Sequence, residues 1–186
     1  MKLFGKWIFL DNHIIDNLDK MYKWSNYKDL IAIEVGKNNN LSKNNYKDTI
    51  MNSYIKNNHE SNSNFCHFGI YRNSNNELIG YLDFQNISKK DSELSLSIPD
   101  QNYRNKHYGI DAFIVALNYG LNIRGIENII IRTRFDNITV KNMIKKINLQ
   151  YKVEKFNENG YKVDLIRYEI NNNIYRKIME KLNGKK

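Results

Sequence analysis

The sequence predicts an α/β (α+β) fold: a mixed, mostly antiparallel sheet of about seven strands with helices on both faces. Hydrophobic spacing switches along the chain between a period of two and a period near 3.6, so strands and helices interleave. One segment, residues 128–135 (NIIIRTRF), holds three consecutive isoleucines, the continuous apolar run of a strand buried on both faces. The resulting order is strand, two helices, three strands, helix, strand, helix and two strands, closed by a tail helix, and a helix-covered sheet is its natural packing. At 186 residues the chain is sized for one domain, residues 1–186, with 171–186 as a C-terminal helix and tail. Such a chain buries roughly 70% of its unfolded surface and requires no staples.

Each element has its own signal. Residues 2–10 (KLFGKWIFL) read as the first strand, and Asp11 is placed to cap the segment that follows. There Ile14, Ile15, Leu18, Met21 and Tyr22 fall at helical spacing. The polar stretch GKNNNLSKNN leads into a second helical pattern over 46–56. After SNSN, residues 65–72 (FCHFGIYR) and 78–84 (LIGYLDF) flank the turn NSNNE as hairpin partners, and 93–98 (ELSLSI) joins the same strand series. Ile110, Phe113, Ile114, Leu117 and Leu121 form a helical stripe, as do Val140, Met143, Ile144 and Ile147. Residues 151–156 and 161–170 pair around the turn NENG, and 174–182 make a short amphipathic helix.

The formal net charge is +9. A basic excess fits nucleic acid, an anionic membrane or a phosphorylated ligand. Here it is spread over a chain rich in Asn, Lys, Ile and Tyr with one Pro, the bias of an AT-rich coding sequence. No basic helix or aromatic RNA platform stands out, so neither nucleic acid nor a membrane is expected as a partner. The single Cys66 excludes an intramolecular disulfide and a multi-cysteine metal cage. His13, His59, His67 and His107 lack metal-ligand spacing, and no metal is expected. No apolar run approaches the ~20 residues of a spanning helix. The N-terminal apolar stretch is too short for a signal peptide, so a reduced, cytoplasmic setting is expected.

The stretch with chemical content is 93–113, ELSLSIPDQNYRNKHYGIDAF. Its strand alternates cleanly: Leu94, Leu96 and Ile98 point one way, and Glu93, Ser95 and Ser97 the other. That polar row lines a cleft or forms the wet face of an ordinary strand. Pro99 stops the strand, and a loop with Arg104 and Lys106 feeds a helix near Tyr108–Gly109. Backbone N–H groups converge at such a helix start and the helix dipole adds positive potential, so the loop suits a pyrophosphate.

The order strand, basic loop, helix, strand, Asn, helix resembles the GNAT superfamily of N-acetyltransferases. Their pyrophosphate loop reads Gln/Arg-x-x-Gly-x-Gly/Ala, and Arg104, Asn105, Lys106, His107, Tyr108 and Gly109 hold those positions here. The closer likeness is to the RimJ/RimL-type branch. Glu93-Leu94, Ile98, Tyr103-Arg104, Lys106, Tyr108-Gly109 and Ala112 match its run through the loop, and residues 20–35 are similar to its W-x-N-x-x-x-[DEV] segment through Trp24, Asn26 and Asp29, the last one residue early. IRTRFDNITVKNMIKK resembles its later strand, Asn and helix, so the likeness spans roughly residues 3–170. Two positions depart from it. His107 stands in place of Gly, which matters if the backbone there needs φ > 0. The helix after Asn137 has Ile144 where the family often carries the Tyr that protonates the thiolate, so either the thiolate leaves without it or another group such as Tyr151 or a water serves.

The resemblance implies a V-shaped splay between the fourth and fifth strands, with acyl-CoA in the gap. Leu96, Ser97 and Ile98 would pair with the pantetheine arm, the amides of Arg104 through Gly109 would hold the pyrophosphate, and Asn137 would reach the pantetheine. An acceptor amine would attack the thioester, with Glu93 as general base, directly or through water. Trp24 and Glu34 would meet the acceptor. Each role has a structural rival. Asn137 also suits a helix N-cap, Trp24 the core, Glu93 a solvated strand, and Arg104 and Lys106 an ordinary surface.

Two functions from different classes follow. One is an acetyl-CoA-dependent N-acetyltransferase whose partners are acetyl-CoA and an amine acceptor, either a protein N-terminus or a small molecule. It would work as a monomer or homodimer. The other is a catalytically silent module on the same fold that binds CoA or a protein partner.

Overall fold

The computed structural model describes residues 1–25, 42–48, 51, 64–158 and 161–184. The chain forms two compact units, one of Met1–Gln85 with Leu96–Val115 and one of Asn86–Ser95 with Ala116–Lys186.

The first unit is an antiparallel meander. β1 (Lys2–Phe4), β2 (Ile8–Asp11), β3 (Cys66–Arg72) and β4 (Leu78–Gln85) pair in chain order. The sequence suggests one strand over 2–10, but the chain folds back at Gly5 into two. The cause lies far away in sequence. The Asp111 carboxylate accepts the backbone N–H groups of Lys6, Trp7 and Ile8 at 3.1, 2.7 and 3.1 Å, which bends the turn around it. A side chain at position 5 would collide with that carboxylate at 2.7 Å, so glycine is required there. Among the described residues eight strands therefore replace the expected seven. Asp11 caps no helix. Its carboxylate accepts the His13 N–H at 3.1 Å, and a 3₁₀ turn, Ile15–Asn17, leads into α1 (Leu18–Ser25).

The apolar face of α1 covers this meander. Ile14, Met21 and Trp24 pack with Phe9, Tyr71 and Leu78 in one cluster. Residues 43–48 are helical, and Lys43 and Lys47 both reach Asp19 of α1, at 2.8 and 2.7 Å. The rest of the second helical pattern, apart from residue 51, lies outside the described residues. α2 (Tyr108–Asn118) takes the other face of the meander. Trp24 stacks on Tyr81, whereas the neighbouring Gly80 looks toward Ile98, which in turn borders Gly109 of α2. Successive strand residues point to opposite faces, so helices flank this sheet on both sides.

The second unit contains the parallel element. β5 (Asp91–Ser97) begins in it, and β6 (Asn128–Arg134), α3 (Ile138–Ile147), β7 (Lys152–Glu158), β8 (Tyr161–Ile170) and α4 (Asn172–Asn183) complete it. β6 pairs antiparallel with β8, and β7 and β8 form a hairpin. Ile129, Ile130 and Ile131 are all buried, as their run requires. Phe135 lies one residue past β6 and is half exposed, with the Lys141 ammonium 3.7 Å from its ring centre.

β5 and β6 run parallel through three rungs only: Asp91 with Asn128, Ser92 with Ile129 and Glu93 with Ile130. The ladder ends there, although β5 continues to Ser97 and β6 to Arg134. β6 stays paired with β8 through Arg134–Leu165, so its course is fixed from the other side.

Candidate active site

The loop after β5 is built by its own side chains. The Asp100 carboxylate accepts the Asn102 N–H at 2.8 Å and starts a 3₁₀ turn, Gln101–Tyr103. The Arg104 guanidinium then turns back on the chain. Its Nε donates to the Ile98 carbonyl at 2.9 Å and its Nη2 to the Pro99 carbonyl at 2.8 Å. Arg104 therefore braces the loop against the end of β5, and its own amide is engaged with Gln101 at 3.1 Å. Lys106 is exposed at the loop tip.

Two residues in the loop are left-handed: Asn105 at φ 60° and His107 at φ 67°. Asn reaches this region readily, whereas His there carries a steric cost. His107 is held in place by its ring, which stacks on Trp7 with centres 5.7 Å apart. Its carbonyl accepts the Asp111 N–H and opens α2. Left-handed residues beside a helix start turn successive N–H groups inward, the geometry of an anion-binding nest, and the first N–H groups of a helix have no acceptor within it. A side chain at Gly109 would meet Ile98 at 3.7 Å, an ordinary contact, so packing does not demand glycine there.

A polar cluster anchors the same loop to the β3–β4 turn, and sequence reasoning missed it. The Tyr103 hydroxyl donates to Glu77 at 2.7 Å, and Lys20 reaches the same carboxylate at 3.4 Å. The Arg72 guanidinium lies 5.7 and 5.8 Å from the ring centres of Tyr103 and Tyr108. The Tyr103 hydrogen bond holds the Glu77 carboxyl below its ordinary range, and Glu77 pushes the Tyr103 phenol upward. No local motif joins residues 20, 72, 77 and 103; only the fold does.

The other expected site residues fall as follows. Leu96, Ser97 and Ile98 are half-buried, and the Ser97 carbonyl sits 2.3 Å from where a Cβ on Gly80 would lie. Glu93 is ion-paired with Arg132. Arg132 continues to Glu154 at 3.0 Å, and Arg167 links Glu154 and Glu169 at 3.4 Å each. Glu93 thus ends a row of alternating charges on four strands rather than standing alone. Asn137 is the N-cap of α3. Its Oδ1 accepts the Val140 N–H at 3.2 Å, and its Nδ2 donates to Thr133 at 2.9 Å.

Trp24 belongs to the core. It is 3% exposed and packs among the apolar residues of α1 and the meander. Glu34, Asn26 and Asp29 lie outside the described residues. Ile144 is 2% exposed, while Tyr151 is exposed against Tyr168. Among the described residues no three His, Cys, Asp or Glu side chains gather as a metal site, and no helix is long and apolar enough to cross a membrane.

Comparison with known proteins agrees with this layout. No curated protein matches the chain by sequence. Many solved structures match by fold. An acetyltransferase of the GNAT family from Bacillus anthracis superposes with a TM-score of 0.73 at 14% identity, over 92% of this chain and 98% of that one. A RimL ribosomal L7/L12 α-N-protein acetyltransferase in complex with coenzyme A gives 0.78 at 13%, over 92% and 98%. Spermidine N-acetyltransferase from Vibrio cholerae, in complex with CoA and spermine, gives 0.75 at 16%, over 92% and 99%. At such identities these establish the fold. The sequence model for the acetyltransferase (GNAT) domain matches residues 8–150, and the chain belongs to that family.

Proposed function

We propose that the protein is an acyl-CoA-dependent N-acetyltransferase of the RimJ/RimL-like kind, working in the cytoplasm as a single domain. It would move an acetyl group from acetyl-CoA to a primary amine by direct attack in a ternary complex. The observation that carries this reading is the β5–β6 ladder, which stops after Glu93–Ile130 while both strands continue. Backbone groups of β5 beyond the last rung suit an extended amide-bearing arm that adds like a strand. The left-handed loop ahead of α2, with Lys106 exposed beside it, supplies N–H groups and positive charge for the diphosphate.

In this reading Leu96, Ser97 and Ile98 bind the pantetheine arm, and residues 105–109 hold the diphosphate. Arg104 acts chiefly as the brace that shapes the loop. Asn137 has a second amide hydrogen beyond its bond to Thr133 to offer the arm. Glu93 takes the N–H proton of the tetrahedral intermediate through water. Its carboxylate is engaged by Arg132, so a water relay suits it better than direct contact with the amine. A water or Tyr151 serves the leaving thiolate. The acceptor is either a protein N-terminal amine or a small-molecule amine, and the basic balance of the chain weighs against a polyamine.

Acetyl-CoA should raise the melting temperature, because it binds only the folded chain. Thiol release over a panel of amines should then identify an acceptor, and Glu93→Gln should lower kcat by about 10²-fold. No thermal response to acetyl-CoA or CoA would sink the reading. A thermal response with no thiol released from any amine would instead favour the silent CoA-binding module, for which buried Ile144 in place of an acid is the supporting feature.

A further inference from the structure

One carboxylate ties the loop ahead of α2 to two other elements. Glu77, just before β4, accepts the Tyr103 hydroxyl at 2.7 Å and the Lys20 ammonium of α1 at 3.4 Å on Oε1. Its Oε2 accepts Asn75 Nδ2 at 3.3 Å and Arg72 Nη1 at 3.5 Å. Backbone bonds stiffen the turn that carries it. The Arg72 N–H donates to the Glu77 carbonyl at 2.9 Å, and the Asn76 N–H to the Arg72 carbonyl at 3.0 Å. The Glu77 and Arg72 side chains are 31% and 27% exposed, so both are partly withdrawn from water.

The residues held by this cluster bracket the loop. Tyr103 ends the 3₁₀ turn and Tyr108 opens α2, so only residues 104–107 lie between them. Both left-handed residues, Asn105 and His107, fall in that interval. The two tyrosine rings meet edge-on with centres 6.4 Å apart. The Arg72 guanidinium sits 5.7 and 5.8 Å from those centres, within cation–π reach of each. The span of the loop is thus set by side chains outside it. All of these residues belong to the first unit.

By charge alone, a carboxylate beside an anion-binding loop is out of place. It repels a diphosphate and on that account weakens binding. Its contacts act in the opposite direction. N–H groups bind an anion well when they already point at one spot. A loose loop must be ordered by its ligand, and the freedom lost lowers the affinity. Four side chains on one carboxylate, and two rings on one guanidinium, order this loop in advance.

We infer that Glu77, acting through Tyr103 and together with Arg72, is a positioning residue that sets the affinity of the loop for the diphosphate of acyl-CoA; this rests on the acetyltransferase reading. In this role Glu77 meets neither the thioester nor the amine. It acts on the nucleotide end of the donor and leaves the acyl transfer itself alone.

The test compares two donors on the full-length chain, with the amine that the panel turns over fastest. One is acetyl-CoA. The other is S-acetyl-pantetheine, which has the thioester and the arm but no diphosphate or nucleotide. Glu77→Ala should raise the Kd for CoA, read by calorimetric titration, and the KM for acetyl-CoA by about tenfold. The KM for S-acetyl-pantetheine and the kcat at saturating acetyl-CoA should change by less than about twofold. Glu77→Gln still accepts from Tyr103, so it should recover part of the loss. Tyr103→Phe keeps the ring beside Arg72 but loses the hydroxyl, and it should give a smaller rise of the same kind; it carries the test if Glu77→Ala does not fold. Combining Glu77→Ala with Tyr103→Phe should weaken CoA no further than Glu77→Ala alone, since the two act as one unit. Arg72→Lys keeps the charge without the planar face and should also weaken CoA. CoA bound as tightly as by the wild type, or more tightly, in either Glu77→Ala or Tyr103→Phe overturns the proposal. An equal rise in KM for both donors overturns it too, being the mark of general damage. A wild type that binds no CoA defeats the acetyltransferase reading itself, and that result precedes any variant.

Discussion

His107 shows how one residue sustains a loop against its own backbone preference. At φ 67° its side chain is strained, and its stacking on Trp7 offsets that strain. A β-branched residue would bear the same backbone cost and lose the ring. His107→Val should lower stability by about 1–2 kcal/mol and weaken the thermal response to acetyl-CoA, whereas His107→Gly should keep the loop shape. Chemical denaturation of both variants checks this, and a valine variant as stable as wild type would refute it. Its match to a family glycine made the position legible as a candidate for positive φ. Nothing local to it revealed Trp7, which is 100 residues away in sequence. Asn137 was half legible in the same sense. The helical stripe behind it announced a cap, but its bond to Thr133 depends on where β6 ends.

Elements are joined here by single polar side chains. Asp111, in the first turn of α2, gathers three N–H groups of the β1–β2 turn. Asp111→Ala should cost about 2 kcal/mol, the range for hydrogen bonds to a charged group, and should raise amide exchange at Lys6–Ile8 before the rest of the unit. Uniform exchange across the unit would argue against a local anchor. Gly80 plays a comparable part on β4. Any side chain there meets the Ser97 carbonyl, so Gly80→Val should displace the end of β5 and weaken acetyl-CoA binding. Apolar spacing located all of these strands and helices in the described residues, because burial of a stripe is a local pattern. It did not locate the break in residues 2–10, because the group that makes it sits on another element.

Across the whole molecule, charge sets the pH window of stability. Asp19 is drawn down to about 2, first by its hydrogen bonds to Lys43 and Lys47. Glu77 and Asp136 are also lowered, by Tyr103 and Arg134. A lowered carboxyl stabilises above its unfolded value and ceases to do so as pH falls through its folded one. Acid loss should therefore begin as pH enters the ordinary carboxylate range, be complete below the folded values and, for the exposed Asp19 and Asp136, shrink in high salt. Tyr71 is pushed up to about 12 by burial and the Asp11 charge, and Tyr103, Tyr168 and Tyr175 are raised as well. Raised phenols stabilise below their unfolded value, near 10, and lose that contribution as pH climbs through the folded one. Denaturation across pH should show a plateau with a fall at each end, and Tyr71→Phe should make the alkaline fall shallower. A fall of unchanged steepness would remove Tyr71 from that role.

The amino-acid sequence by itself determined the order of strands and helices, the buried isoleucine strand and the basic loop ahead of a helix. Each of these follows from neighbours in the chain, through side-chain period, turn residues and charge. Tertiary structure alone decided that the β5–β6 ladder has three rungs, that Arg104 holds carbonyls, that Trp24 is core and that His67 faces Asp83 with one nitrogen unpaired. Those outcomes depend on which distant groups meet across the sheet, and hydrogen-bond partners brought together from remote segments leave no periodic trace along the chain.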